Sequence, residues 1–404
     1  MLLYLAAAGF PIVVLQLVIY PFMADSLNKH DYGLMIAIYS MLLLFSDSFG
    51  RSVNNERLIN SNEKKNKQGD YNQIVILFQF INIIIITIGS FYYVGNDEYL
   101  SITIIIVTAM FMLFNAYLIV QFRIMLNYVA IVINAAFMCV GFGIGFLIYK
   151  ITGLWEIVFL FGQMLPFVYL VYFTKLLREP FIRTERFGSI FKDSSFLAAS
   201  LLLAQGMNLA DKLVLFPLLG GATLSIYYTA SLVGKLLTVA TGPVNSVILS
   251  YLAKKESLSV KLFKKYVLIC LTFCIVLSVM ILILSRPVLG LLFPKFVDEA
   301  MVLVPYTTAG IFFYVMASMI TPIVMRYCAA AWQTIINGVS FAIYILGSIV
   351  LLQLFDVIGF CIGIAFSHLI RFVILIAVYY NNTDKNNNIK INTDSERGNN
   401  HVSI

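Results

Sequence analysis

Apolar residues follow one another in long runs from residue 2 to residue 380, and polar stretches between them are short. The runs are about 18–26 residues long, the length a helix needs to cross a hydrocarbon layer. They predict twelve spans near 2–23, 33–50, 73–94, 99–120, 129–149, 155–174, 194–219, 225–250, 264–285, 301–325, 331–353 and 358–380. Pro11 and Pro21 are expected to kink or end the first. That run lacks a basic leader and a small-residue cleavage motif, so it is expected to be a retained span.

The polar positions inside these runs carry the information. Asp211, Lys212 and Lys235 fall within the seventh and eighth spans. A charge in hydrocarbon costs at least a few kcal/mol, so such residues ordinarily face a hydrated cavity or a partner. At 100° per residue, Ser231, Lys235, Thr238, Gly242 and Asn245 share a stripe about 80° wide. Gln205, Asn208 and Lys212 share a face of the preceding span, with Asp211 at its edge. The plainer reading is that these charges snorkel or pair structurally.

The same stripe occurs earlier. With an offset of 191 residues, Ser40, Leu44, Asp47, Arg51 and Asn54 take the equivalent positions, and both copies end in a basic loop. Ser231 then matches Ser40, Asn245 matches Asn54 and Lys255 matches Lys64. An offset near half the chain predicts a duplicated unit, as in many transporters. The expected layout is a first six-helix bundle over 1–174, a basic linker over 175–193, a second bundle over 194–380 and a disordered tail over 381–404.

Composition agrees with this class. The chain is 61% hydrophobic and 12% charged, with a mean hydropathy of +0.92. Such a chain is an all-α polytopic membrane protein. Its net charge of +7 does not mark a nucleic-acid partner, because the basic residues sit in short loops. With the N-terminus in the cytoplasm, inner loops and tail hold twenty of the 27 Lys and Arg, and outer loops hold four. This predicts cytoplasmic termini, and six spans per half make the repeats parallel.

No catalytic constellation emerges, and no Walker A motif is present. The absence of both points to secondary transport, a channel-like role or a scaffold. Cys270 and Cys274 are one turn apart but lack His or carboxylate neighbours, so packing is the expected role of the five cysteines. No metal site is expected. His368 and Arg371 share a face of the last span, either as an interhelical polar contact or as a lumen lining with a titratable group. Asp47 precedes Arg51 by four residues and Asp211 adjoins Lys212. Each pair reads either as local neutralisation or as a carboxylate for H+ or Na+ coupling.

Several stretches carry a resemblance: PFMADSLNKHDYGLM (21–35), GRSVNNERLIN (50–60), LADKLVLFPLLGGATLSIYYTAS (209–231), LGLLFPKFVDEAMVLV (289–304) and IGFCIGIAF (358–366). In this order the chain resembles the polysaccharide-biosynthesis (O-antigen) flippases of the multidrug/oligosaccharidyl-lipid/polysaccharide exporter (MOP) superfamily. It departs from them at Pro294, where a glycine is usual. The resemblance implies two six-helix bundles in a MATE-like V around a central cavity. It implies an undecaprenyl-pyrophosphate-linked oligosaccharide as substrate, flipped to the outer leaflet of a bacterial cytoplasmic (inner) membrane, beside polysaccharide polymerase and glycosyltransferase partners.

An anionic headgroup needs a cationic, hydrated site while its polyprenyl tail stays in membrane lipid. Arg51, Lys212, Lys235 and Arg371 are the candidate cations, with Asn54 and Asn245 on the same stripes. Arg grips pyrophosphate bidentately and Lys acts as a point charge. Asp47, Asp211 and His368 are the candidates for ion coupling. Two rivals remain. A multidrug exporter would favour acidic residues for organic cations. A membrane polymerase would want a large outer loop, whereas the longest here is 286–300.

Overall fold

The computed structural model describes residues 9–60, 68–95, 98–178, 181–238, 241, 245, 260–328 and 330–399. Among them every regular element is helical. Ten helices are long and apolar enough to cross a membrane: α1 (Gly9–Ser26), α2 (Lys29–Ile59), α3 (Gly69–Val94), α4 (Tyr99–Ile124), α5 (Tyr128–Thr152), α6 (Glu156–Phe173), α7 (Phe187–Leu236), α8 (Val260–Leu292), α9 (Val297–Val324) and α10 (Ile335–Asn381). The chain is a multi-pass all-α membrane protein.

Two of these helices, α7 and α10, run on for 50 and 47 residues, and each falls across two of the twelve predicted spans. At 1.5 Å per residue an unbroken helix of that length would measure about 70–75 Å, more than twice a hydrocarbon layer of about 30 Å. Each is broken once, α7 at Gly220 (φ 81°, ψ 168°) and α10 at Phe355 and Asp356. Gly220 holds a positive φ that a residue with a Cβ rarely adopts. Beyond the second break the chain returns on itself, so that Gly363 lies against Ser348.

Local chemistry sets the other boundaries. Pro21 lacks an N–H and crowds the carbonyl four residues back, and the π-helical turn Leu15–Ile19 just ahead absorbs the misfit. Leu27 is extended, and the Asn28 side chain caps α2 by accepting from the Asp31 N–H at 2.9 Å. With the 191-residue offset, Lys29 corresponds to Gly220, so the α1–α2 junction and the break in α7 fall at matching places. A second π turn, Leu43–Asp47, interrupts α2 in mid-span.

The contacts divide the chain into two compact units, Met1–Thr229 with Gly290–Val297, and Ala230–Leu289 with Asp298–Ile404. The sequence layout puts the join at 175–193. The structure moves it into α7, because residues 187–229 pack on the first helices. Gly33 and Gly221 let α2 and α7 touch through their backbones: a Cβ on Gly33 would overlap the Gly221 carbonyl, and one on Gly221 the His30 carbonyl. Ser225 Oγ donates to the Lys29 carbonyl at 2.6 Å, and Tyr93 OH donates to the Leu213 carbonyl at 2.8 Å.

In the first unit α2 is central: 89% of its apolar window is buried, against 33–44% for α1 and α3–α6. The unit's core gathers Phe49, Phe78, Leu113, Tyr117 and Tyr169. In the second unit one cluster joins Phe263, Ile320, Leu375 and Tyr379. Another packs Cys270 and Cys274 among Ile281, Val315 and Met316, which makes both thiols core residues.

The helix that includes α10 continues to Asn399, where composition predicts a disordered tail. Extending a formed helix needs no new nucleus. Lys254, Lys255 and Gly242, and the tail from 400, lie outside the described residues.

Candidate functional site

The polar centre of the first unit is built on α7. Asp211 and Lys212 are 3% and 6% exposed. Lys212 Nζ lies 3.7 Å from Asp211 Oδ1 and donates to the Asn208 carbonyl at 3.3 Å. Tyr227 OH donates to Asp211 Oδ2 at 2.9 Å. The carboxylate is thus held from two sides, while the ammonium also reaches open space.

That space is a cavity of about 130 Å³ inside the first unit. Gln16 and Tyr20 of α1, Tyr39 and Ser40 of α2, and Lys212 and Tyr228 of α7 form its polar wall. Leu15, Ile36, Leu43, Met138 and Leu209 complete it with apolar surface. Tyr20 meets Tyr228 edge-on at 5.6 Å and Tyr32 at 6.4 Å, which fixes the aromatic wall. Gln16 Oε1 is buried there without a hydrogen-bond partner. The volume holds several waters or one phosphate-sized group beside one buried cation. A sugar chain does not fit.

On α2 the expected stripe is divided. Ser40 lines the cavity. Asp47 and Arg51 form an ion pair at 2.6 Å, with the Arg51 side chain 57% exposed. Asn54 is turned to α4: its amide donates to the Ala116 carbonyl at 2.7 Å, and its oxygen accepts from Arg123 at 2.5 Å. The cause is the π turn at Leu43–Asp47. A π turn inserts one residue and rotates everything beyond it by about 100°, so Asn54 leaves the face of Ser40 and becomes a packing residue.

In the second unit Lys235 is half-buried on α7. Asn245 donates to Ser318 Oγ at 2.8 Å. Arg371 donates to Asn337 Oδ1 at 3.2 Å. His368 is buried between Tyr314, edge-on at 5.3 Å, and Tyr344 at 6.0 Å. Both side chains thus meet groups on other parts of the second unit, Arg371 the Asn337 amide and His368 the two tyrosine rings. Among the described residues no group of three or more His, Cys, Asp or Glu converges as a metal site would require.

Sequence reasoning placed Lys212 and Asp211 in a polar setting but missed Gln16, Tyr20 and Tyr39. Their only signal was polarity inside apolar runs, which tyrosine shares with ordinary interfacial residues.

No family model matches the sequence, and no curated protein matches it. Solved structures do match. A lipid II flippase, MurJ, in an inward closed conformation superposes with a TM-score of 0.72 at 16% identity, over 93% of this chain and 87% of that one. The eukaryotic MATE transporter AtDTX14 gives 0.60 at 17% identity over 93% of each chain. The Vibrio cholerae MATE transporter VcmN in its bent form gives 0.58 at 10% identity over 96% of each. A further match is a multidrug resistance MATE transporter of the MOP superfamily, at 0.52. At these identities the likeness is one of fold: the chain has the helical fold that these flippase and MATE transporter structures share.

Proposed function

We propose that this protein is a flippase that moves a polyprenyl-pyrophosphate-linked oligosaccharide across the bacterial cytoplasmic membrane for O-antigen, capsule or another surface polysaccharide. The observation that carries the reading is Lys212, an ammonium buried within a membrane span at a phosphate-sized cavity. The fold shared with a lipid II flippase supports it. A buried cation attracts phosphate strongly because water competes weakly there. Hydroxyls of Tyr20, Tyr39, Tyr228 and Ser40 supply donors around it. The lipid tail stays in the bilayer, and this cavity need only take a phosphate of the headgroup. In this reading Arg51 is a further candidate cation of the first unit, Lys235 and Arg371 are candidate cations of the second, and the protein is a transporter rather than an enzyme.

Coupling to H+ or Na+ belongs to the same proposal. Asp211 is its best-placed carboxylate, buried and held by Tyr227 beside the cation that would take the substrate.

A second reading is a multidrug or cation antiporter, favoured by the likeness to MATE transporters and by the same buried Asp211. Proteoliposomes separate the two. Flipping of a polyprenyl-pyrophosphate-linked oligosaccharide, followed by the access of a membrane-impermeant lectin, is expected. Uptake of an organic cation without any flipping would assign the antiporter instead.

A further inference from the structure

We propose that the face of the first unit formed by the α4–α5 turn and the α6–α7 connection is a binding surface for anionic lipid headgroups at the bilayer interface. The connection is fixed from beneath by the start of α3. Asp70 is fully buried and accepts from the Thr184 N–H at 2.7 Å and the Thr184 hydroxyl at 2.6 Å. Asn72 donates to the Leu176 carbonyl and Gln73 to the Phe181 carbonyl, both at 2.8 Å. The Lys175 N–H donates to Gln121 Oε1 at 2.9 Å and so ties the connection to the end of α4. A buried carboxylate accepting two hydrogen bonds makes a strong anchor.

This anchoring holds basic and apolar side chains out together. Lys175, Arg178 and Arg183 are exposed. Between them stand Phe181 and Ile182, the latter 57% exposed. On the neighbouring turn Met125 and Leu126 are also exposed, and Leu126 has φ 53°, a backbone region leucine seldom enters. Over 174–193 the sequence has five basic residues and three acidic ones.

The occupant follows from continuity and charge. Tyr172 and Phe173, exposed at the end of α6, lead directly into this connection, so exposed apolar side chains continue along the chain from a membrane span. Apolar side chains that dip into the interface beside cations are the pattern that binds anionic bilayers. The excess of positive charge selects phosphatidylglycerol-like over zwitterionic headgroups.

The test uses the full chain carrying Ile182→Trp, reconstituted in phosphatidylcholine with brominated phosphatidylglycerol or brominated phosphatidylcholine, with the parent protein's fluorescence subtracted. Quenching by both lipids is expected, with phosphatidylglycerol acting at lower mole fraction. The added changes Lys175→Gln, Arg178→Gln and Arg183→Gln should weaken that preference at least about fivefold, the effect of one interfacial charge, and high salt should erode it in the Ile182→Trp protein alone. Equal quenching by the two lipids, insensitive to salt and to the three changes, would overturn the proposal. Absence of quenching by either would place residue 182 in water and assign the face to a soluble protein partner.

Discussion

The Tyr227 hydroxyl donates to Asp211 Oδ2 across 2.9 Å although the two residues are sixteen positions apart on α7. A continuous helix would separate them by about 24 Å. The bond therefore requires the reversal at Gly220, and in turn it fastens the two arms to each other at the depth of the buried cation. Tyr227→Phe removes the donor and leaves the carboxylate less well satisfied, at a cost of about 1–3 kcal/mol. A lower melting temperature in detergent is expected, and an unchanged one would show that the bond is unimportant.

The backbone contact between α2 and α7 gives a second expectation. A side chain at Gly221 must push back the His30 carbonyl, so Gly221→Val should destabilise the protein by about 1–3 kcal/mol or more. Gly188 has open space around it, and Gly188→Ala should leave stability unchanged or slightly raised. Equal melting of the two variants would argue against a tight α2–α7 contact.

Asp47 can be tested against Arg51, its partner at 2.6 Å. If Asp47 couples flipping to an ion gradient, Asp47→Asn should insert normally and lose gradient-dependent flipping, and adding Arg51→Gln should not restore it. Full recovery in the double variant would reduce Asp47 to a neutralising partner of Arg51.

Orientation is open to reporter fusions. Fusions at Arg183, Lys254 and the tail should report the cytoplasm, and one at Lys295 the outside, as the loop charge predicts. An outside signal at Arg183 would invert the layout.

The spans were legible because crossing a membrane constrains length and apolarity directly. The break in α7 was legible as Gly220–Gly221 between two predicted spans. What escaped the sequence depends on rotation and packing. The π turn at Leu43–Asp47 breaks the fixed 100° step, so a stripe drawn through it could not show that Asn54 meets Ala116 and Arg123. Tyr20 and Tyr39 sit in apolar runs like any lipid-facing aromatic, and only the fold brings them to Lys212. The unit boundary moved from 175–193 into α7 because contacts such as Gly33 with Gly221 cannot be read from composition.

The cationic-site reading stands or falls on Lys212. Its most direct test is the flipping rate of a polyprenyl-pyrophosphate-linked oligosaccharide in proteoliposomes with equal amounts of folded wild type, Lys212→Met and Lys212→Arg. A phosphate held by this ammonium gains a net of about 1–3 kcal/mol after desolvation. Lys212→Met, which keeps the stem and loses the charge, should therefore slow flipping about 5- to 150-fold, and Lys212→Arg should retain most of it. Wild-type flipping by Lys212→Met would contradict the proposed mechanism.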